Sequence, residues 1–165
     1  MSKGKAWKYG NDINTDVIFP GKYTYTVSDP KEMAKYALED LDPRFVKEVK
    51  AGDVVVGGEN FGCGSSREQA PISIRECGAA AIVAKSFARI FFRNAINAGL
   101  LVITCREAVD AVEMGDEMEI DRDKGIIRVK GKEFTYPALA PEVQEILDCG
   151  GLTEYTQKKI AALNG

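Results

Sequence analysis

The chain has 165 residues, 45% hydrophobic and 28% charged, with a net charge of −3, which fits one ordinary globular domain spanning 1–165. That balance gives no electrostatic case for nucleic acid or an anionic membrane surface, and no apolar run approaches the ~20 residues of a membrane-spanning helix. The start, Met1-Ser2-Lys3-Gly4-Lys5, lacks a signal-peptide apolar region, so the expected compartment is the cytoplasm.

Residues 7–27 read as strand and loop, with Asx and Thr side chains at Asn11, Asp12, Asn14, Thr15 and Asp16 favouring local turns. Val17-Ile18-Phe19 reads as a short apolar strand stopped by Pro20-Gly21. Lys22 to Val27 alternates well enough for a strand and is otherwise a mobile loop. Ser28-Asp29-Pro30 announces a helix to about Leu38, and Asp42-Pro43-Arg44 a short one from Phe45 to Val49. Three buried strands follow, at Val54–Val56, Ala79–Ala84 and Leu100–Thr104, separated by helices over Gln69–Cys77 and Ala88–Ala98. That alternation is a βαβαβ unit with a mainly parallel sheet. Glu117–Asp121 and Ile126–Val129 flank an Asp123-Lys124-Gly125 turn as a hairpin, Phe134-Thr135-Tyr136 continues it, and a helix or helix pair runs from Pro141 to Leu163. The expected fold is α/β with an appended β-rich portion.

The chain has no histidine, which removes the commonest general base and metal ligand. Ser-His-Asp and Cys-His mechanisms are therefore excluded within this chain, as are zinc sites built on histidine. Cys63, Cys77, Cys105 and Cys149 contain no C-x-x-C pair. They read as mostly small core residues rather than a disulfide framework or a cluster site, with Cys63 alone placed on a loop.

Chemistry concentrates in Glu59-Asn60-Phe61-Gly62-Cys63-Gly64-Ser65-Ser66-Arg67-Glu68-Gln69, between a buried strand and a helix start. Such a turn exposes unpaired backbone N–H groups and welcomes an anion. A hydroxyl beside an arginine there suits proton transfer next to a carboxylate. The structural alternative is that Ser65 or Ser66 caps the helix, with Glu68 or Gln69 closing a capping box. Gly62 and Gly64 favour unusual dihedrals or a close backbone approach. Neither G-x-G-x-x-G nor a P-loop lysine is present.

Three blocks in order, Asp12-Ile13-Asn14-Thr15-Asp16-Val17-Ile18, Asn60 to Pro71, and Lys85 to Asn94, resemble the small subunits of 3-isopropylmalate dehydratases, in the aconitase superfamily. The resemblance covers nearly the whole chain. It implies a single swivelling β/β/α domain like the C-terminal domain of aconitase, and a hydro-lyase active only with a large subunit. That partner would carry the [4Fe–4S] cluster; this chain would hold no metal, and Cys63 would not be a cluster ligand. The substrate would be a small branched hydroxy-dicarboxylate, 2-isopropylmalate or 3-isopropylmalate in leucine biosynthesis.

By the same resemblance Ser65 is the catalytic base, acting as an alkoxide supported by the helix N-terminus and Arg67, while Ser66 and Arg67 bind substrate carboxylate. Tyr23, Thr24, Tyr25 and Thr26 form the substrate-specificity loop, mobile in the free chain, with Tyr25 where homoaconitase-like members carry an arginine. A neutral loop suits an isopropyl group. Lys22 offers a charge that keeps a homoaconitase-type tricarboxylate open, and a dimethylmalate is a further option. A non-catalytic anion-binding module or a structural assembly subunit are the rival classes. Lys85, Arg89 and Arg93 are expected to serve ion pairing or helix solvation, Asp12 and Asp16 turn capping, and Tyr9, Tyr36, Tyr136 and Tyr155 packing.

Overall fold

The computed structural model describes residues 1–164. Strands β1 (Ser2–Lys8), β2 (Val54–Gly57), β3 (Ala81–Ala84) and β4 (Leu101–Thr104) run parallel, and β5 (Glu117–Asp121), β6 (Ile126–Val129) and β7 (Lys132–Thr135) form an antiparallel meander. The two halves make one curled sheet in the order β4-β3-β2-β1-β5-β6-β7. β1 joins them, pairing antiparallel with β5 through Ser2–Lys5 and parallel with β2 through Ala6–Lys8. β2 and β3 are buried along their whole length, as expected of parallel strands covered on both faces.

The helices are α1 (Thr15–Ile18), α2 (Pro30–Met33), α3 (Arg44–Glu48), α4 (Gln69–Glu76), α5 (Arg89–Asn97), α6 (Arg106–Ala111), α7 (Pro141–Asp148) and α8 (Leu152–Asn164), with α4 and α5 between the parallel strands as expected. The last two resolve the C-terminal segment as a pair. One continuous apolar core joins Trp7, Phe19, Phe45 and Phe61 to the Val/Ile side chains of the parallel strands. Beside it the buried Asp53 carboxylate accepts from Lys5 N at 2.9 Å, Trp7 Nε1 at 3.0 Å and Lys50 N at 3.0 Å, tying the start of β2 to β1.

Five local readings are corrected. Val17-Ile18-Phe19 is not a strand, because Asn14 Oδ1 accepts the Val17 N–H at 2.9 Å and starts the α1 turn. Lys22–Val27 is not a strand either; Gly21–Tyr23 is a 3-10 turn that continues as further turns, with Tyr23 N on Pro20 O and Val27 N on Tyr23 O, each at 3.0 Å. The helix over 30–38 is broken into α2 and a 3-10 turn, ending where Leu38 adopts φ 55° and donates its N–H to Ile18 O at 2.8 Å. β1 begins at Ser2, ahead of the expected strand and loop, and α6 falls where no helix was expected. The packing role of Tyr9, Tyr36, Tyr136 and Tyr155 holds, since all four lie against the core.

Candidate active site

Beyond the ends of β1 and β2, backbone pairing does not stop. Tyr9 N bonds Val56 O at 2.8 Å, Gly58 N bonds Gly10 O at 2.9 Å, Asp12 N bonds Glu59 O at 2.8 Å, Gly62 N bonds Ile13 O at 2.7 Å, and Thr15 N bonds Cys63 O at 2.9 Å. This irregular ladder carries the sheet's order out to Ser65, whose backbone oxygen accepts from Thr15 Oγ1 at 3.0 Å. On the other side, Phe61 N meets Ser86 O at 3.0 Å and Ala88 N meets Phe61 O at 2.9 Å, so the loop after β3 clamps the same strap. The site stands at the carboxyl ends of the parallel strands, where open α/β sheets place ligands.

Both strap glycines have the geometry their spacing suggested. Gly62 has φ 84° and Gly64 φ 100°, and a methyl on Gly62 would run into the Phe91 ring. Phe91 packs with Phe61 (5.5 Å between centroids) and Phe87 (6.3 Å), a rigid aromatic wall beneath the strap.

Ser65 and Ser66 are exposed, and Arg67 is half-buried. Neither serine caps a helix. α4 begins at Gln69 with Glu68 as N-cap, and no side chain closes a capping bond there, so the capping-box reading is overturned. The same fact moves the helix N-terminus away from Ser65; its immediate polar environment is Thr15, whose Oγ1 lies 3.2 Å from Ser65 Oγ. The Ser66 carbonyl accepts from Asn94 Nδ2 at 3.4 Å, and Arg67 ion-pairs with Asp16. Asp16 and Asp12 are not turn caps: Asn14 takes that role, and Asp12 accepts from Asn60 Nδ2 at 3.2 Å.

The 23–26 loop abuts this pair. A side chain on Gly21 would start 3.1 Å from both the Arg67 guanidinium and the Asp16 carboxylate, and Gln69 Nε2 reaches Thr24 O at 3.4 Å. Tyr23 faces inward, stacked on Tyr36 at 3.9 Å with its hydroxyl donating to Glu39 at 3.1 Å. Tyr25 is 98% exposed at the tip. Lys22 leans back over the Tyr23 ring and pairs with Glu39 at 3.8 Å.

A charged frame flanks the strap. Glu59 accepts from Ser86 Oγ at 2.8 Å and from Arg106; Arg106, with help from Ser86, holds its carboxyl below the usual range. Ser86 Oγ in turn accepts Asn60 N at 2.7 Å, where Asn60 has φ 57°. Lys85 pairs with Asp110 at 2.8 Å, the structural role expected of it, and Arg89 and Arg93 are exposed on α5. Among the described residues no group of three or more His, Cys, Asp or Glu side chains could hold a metal. Of the four free cysteines Cys105 is buried, and burial pushes the Cys77 thiol up to about 12.

Comparison with known proteins matches residues 10–108 to the aconitase C-terminal domain, the class that this curled sheet and its strap define. A 3-isopropylmalate dehydratase small subunit of Caldicellulosiruptor saccharolyticus is 55% identical over 160 residues, 96% of this chain and 92% of that protein. Small subunit 1 of Archaeoglobus fulgidus is 54% identical over 156 residues, 93% of this chain and 96% of that one. The chain belongs to the family of 3-isopropylmalate dehydratase small subunits. The crystal structure of a 3-isopropylmalate dehydratase from Methanocaldococcus jannaschii shares its fold with a TM-score of 0.91 at 48% identity, covering 99% of this chain and 98% of that one.

Proposed function

We propose that this chain is the single-domain small subunit of a cytoplasmic hydro-lyase that interconverts 2-isopropylmalate and 3-isopropylmalate in leucine biosynthesis. The observation that carries the reading is Ser65, exposed yet strapped by a continuous ladder to the sheet, with a half-buried arginine two residues away. In the chain alone, among the described residues, no carboxylate, lysine or arginine bonds the Ser65 hydroxyl. That half-built state fits a site completed by a large subunit. No helix of the described residues is long and apolar enough to cross a membrane, and the [4Fe–4S] cluster is assigned to the partner.

As an alkoxide, Ser65 takes the proton from the carbon next to a substrate carboxylate. The C–H electron pair becomes the second bond of the alkene while the hydroxyl leaves the adjacent carbon, and addition of water in the opposite sense completes the isomerisation. Arg67 and Ser66 hold the carboxylate, Arg67 through the planar fork that lysine lacks. The loop tip selects the far end of the substrate. Lys22 is drawn back onto Glu39 and Tyr23, which leaves Tyr25 at the tip and favours an isopropyl group over a third carboxylate.

The test is alkene formation by the chain alone and mixed anaerobically with the large subunit, on 3-isopropylmalate and on homocitrate. Turnover of 3-isopropylmalate in the mixture only is expected. Turnover of homocitrate instead would overturn the substrate, and silence on both from a formed complex would overturn the isopropylmalate reading in favour of another branched malate, such as a dimethylmalate, or of an anion-binding module.

A further inference from the structure

The geometry points to Thr15 as the positioning residue that stabilises the Ser65 alkoxide, a proposal resting on the reading of Ser65 as the base. Thr15 is 2% exposed, although it carries a hydroxyl. Among the described residues that hydroxyl meets two polar atoms, the Ser65 carbonyl oxygen at 3.0 Å and the Ser65 Oγ at 3.2 Å. Its own N–H is fixed to Cys63 O at 2.9 Å and its carbonyl accepts Phe19 N at 2.9 Å, so the side chain is presented from an immobile backbone.

Proton counting assigns the role. A threonine hydroxyl has one proton and two lone pairs. While Ser65 is a neutral hydroxyl, Thr15 donates to the Ser65 carbonyl and Ser65 Oγ–H donates to Thr15. Once Ser65 has lost its proton to water, two oxygens at this separation form a hydrogen bond only if Thr15 donates. The Thr15 proton then turns from the carbonyl to the alkoxide. No proton is gained or lost at Thr15, and when Ser65 regains a proton from the substrate carbon the original pattern returns. A donor aimed at the charged form lowers the pKa of that group and acts where charge develops. The charges flanking the two hydroxyls along the chain, Asp16 and Arg67, are paired with each other and Asp12 is held by Asn60; all three persist in the variants below.

The experiment measures kcat, KM and the pH profile of kcat on 3-isopropylmalate in the reconstituted two-subunit complex carrying Ser65→Ala, Thr15→Val or Thr15→Ser. Thr15→Val keeps the shape and removes the donor. It is expected to lower kcat by about 100-fold, leave KM within a few-fold, and move the acid limb of the kcat profile to higher pH. Thr15→Ser keeps the donor and restores most of kcat and the profile. A purely structural Thr15 would lower Tm while leaving kcat per assembled complex and its profile unchanged, which overturns the proposal. If Thr15→Val does not assemble, Thr15→Cys replaces it with a weak donor, and wild-type kcat and profile there overturn the proposal equally. Wild-type turnover by Ser65→Ala would instead overturn the base itself, so the two failures are separable.

Discussion

Asp16 is 62% exposed and its partner Arg67 24%, so their ion pair is worth little to stability, about 0–1 kcal/mol. What the contact fixes is direction, since it holds a flexible arginine against the Gly21 backbone beside Ser65 and Ser66. Arg67→Lys keeps the charge and loses the fork, and is expected to raise KM about tenfold with Tm nearly unchanged; steady-state kinetics of the complex checks it. Ser65→Ala is expected to lower kcat by at least ~100-fold with substrate binding retained, read by turnover alongside calorimetric titration. At this scale the serines, the arginine and the two glycines were legible, because motif and resemblance both fall on adjacent residues. Thr15 was not. Its buried hydroxyl serves a residue 50 positions away, and a lone threonine in a turn-rich stretch signals only local bonding.

The strap, rather than a helix, is the element that presents the site. Gly62→Ala places a methyl into the Phe91 ring at φ 84°, combining a left-handed residue with overpacking, about 2–4 kcal/mol in total. Urea unfolding should show that loss, with activity falling alongside it because the ladder to Ser65 runs through Gly62. Strands β2, β3 and β4 and the hairpin were legible from their apolar runs and alternation. The stretch from Val17 to Leu38 misled because its apolar residues carry no clean period: Ile18 and Phe19 are buried at 0% exposure from a four-residue helix and its C-cap, where Asn14 overrides the β preference of Val and Ile. β1 was hidden by its lysines and glycine, which break any apolar run: only the adjacent Ala6 and Trp7, on opposite faces of the strand, are buried.

Across the whole molecule, the shell that supports the site is closed by a buried carboxylate. Asp42 is 6% exposed and accepts from Arg44 Nε at 3.0 Å and from Tyr9 Oη at 3.0 Å. Arg44, and then the Tyr9 bond, hold its carboxyl below the usual range, while burial and the Asp42 charge push Tyr9 well above its own. A depressed carboxylate contributes stability that is complete above its unfolded value of about 4 and is lost as pH falls through the lower folded value. Asp42→Asn is therefore expected to lower Tm near neutrality, with the gap to wild type closing below about pH 4, as thermal melts between pH 2 and 7 would show.

The ladder that runs from β1 and β2 out to Ser65 also sets when the site can exist. Closing a free loop of 50 residues between Thr15 and Ser65 opposes folding by about 3.5 kcal/mol plus a constant. The last three bonds, Gly62 to Ile13, Thr15 to Cys63 and Thr15 to Ser65, return about 1 kcal/mol each. On their own they fall short of that cost. Once β2 has docked on β1, the intervening loop is already closed and each further rung spans a few residues. The base is therefore a late product of folding: chains clipped so that they keep the whole Gly62–Arg67 motif but lose β1 hold an unplaced serine, and only the completed sheet gives a partner subunit something to engage.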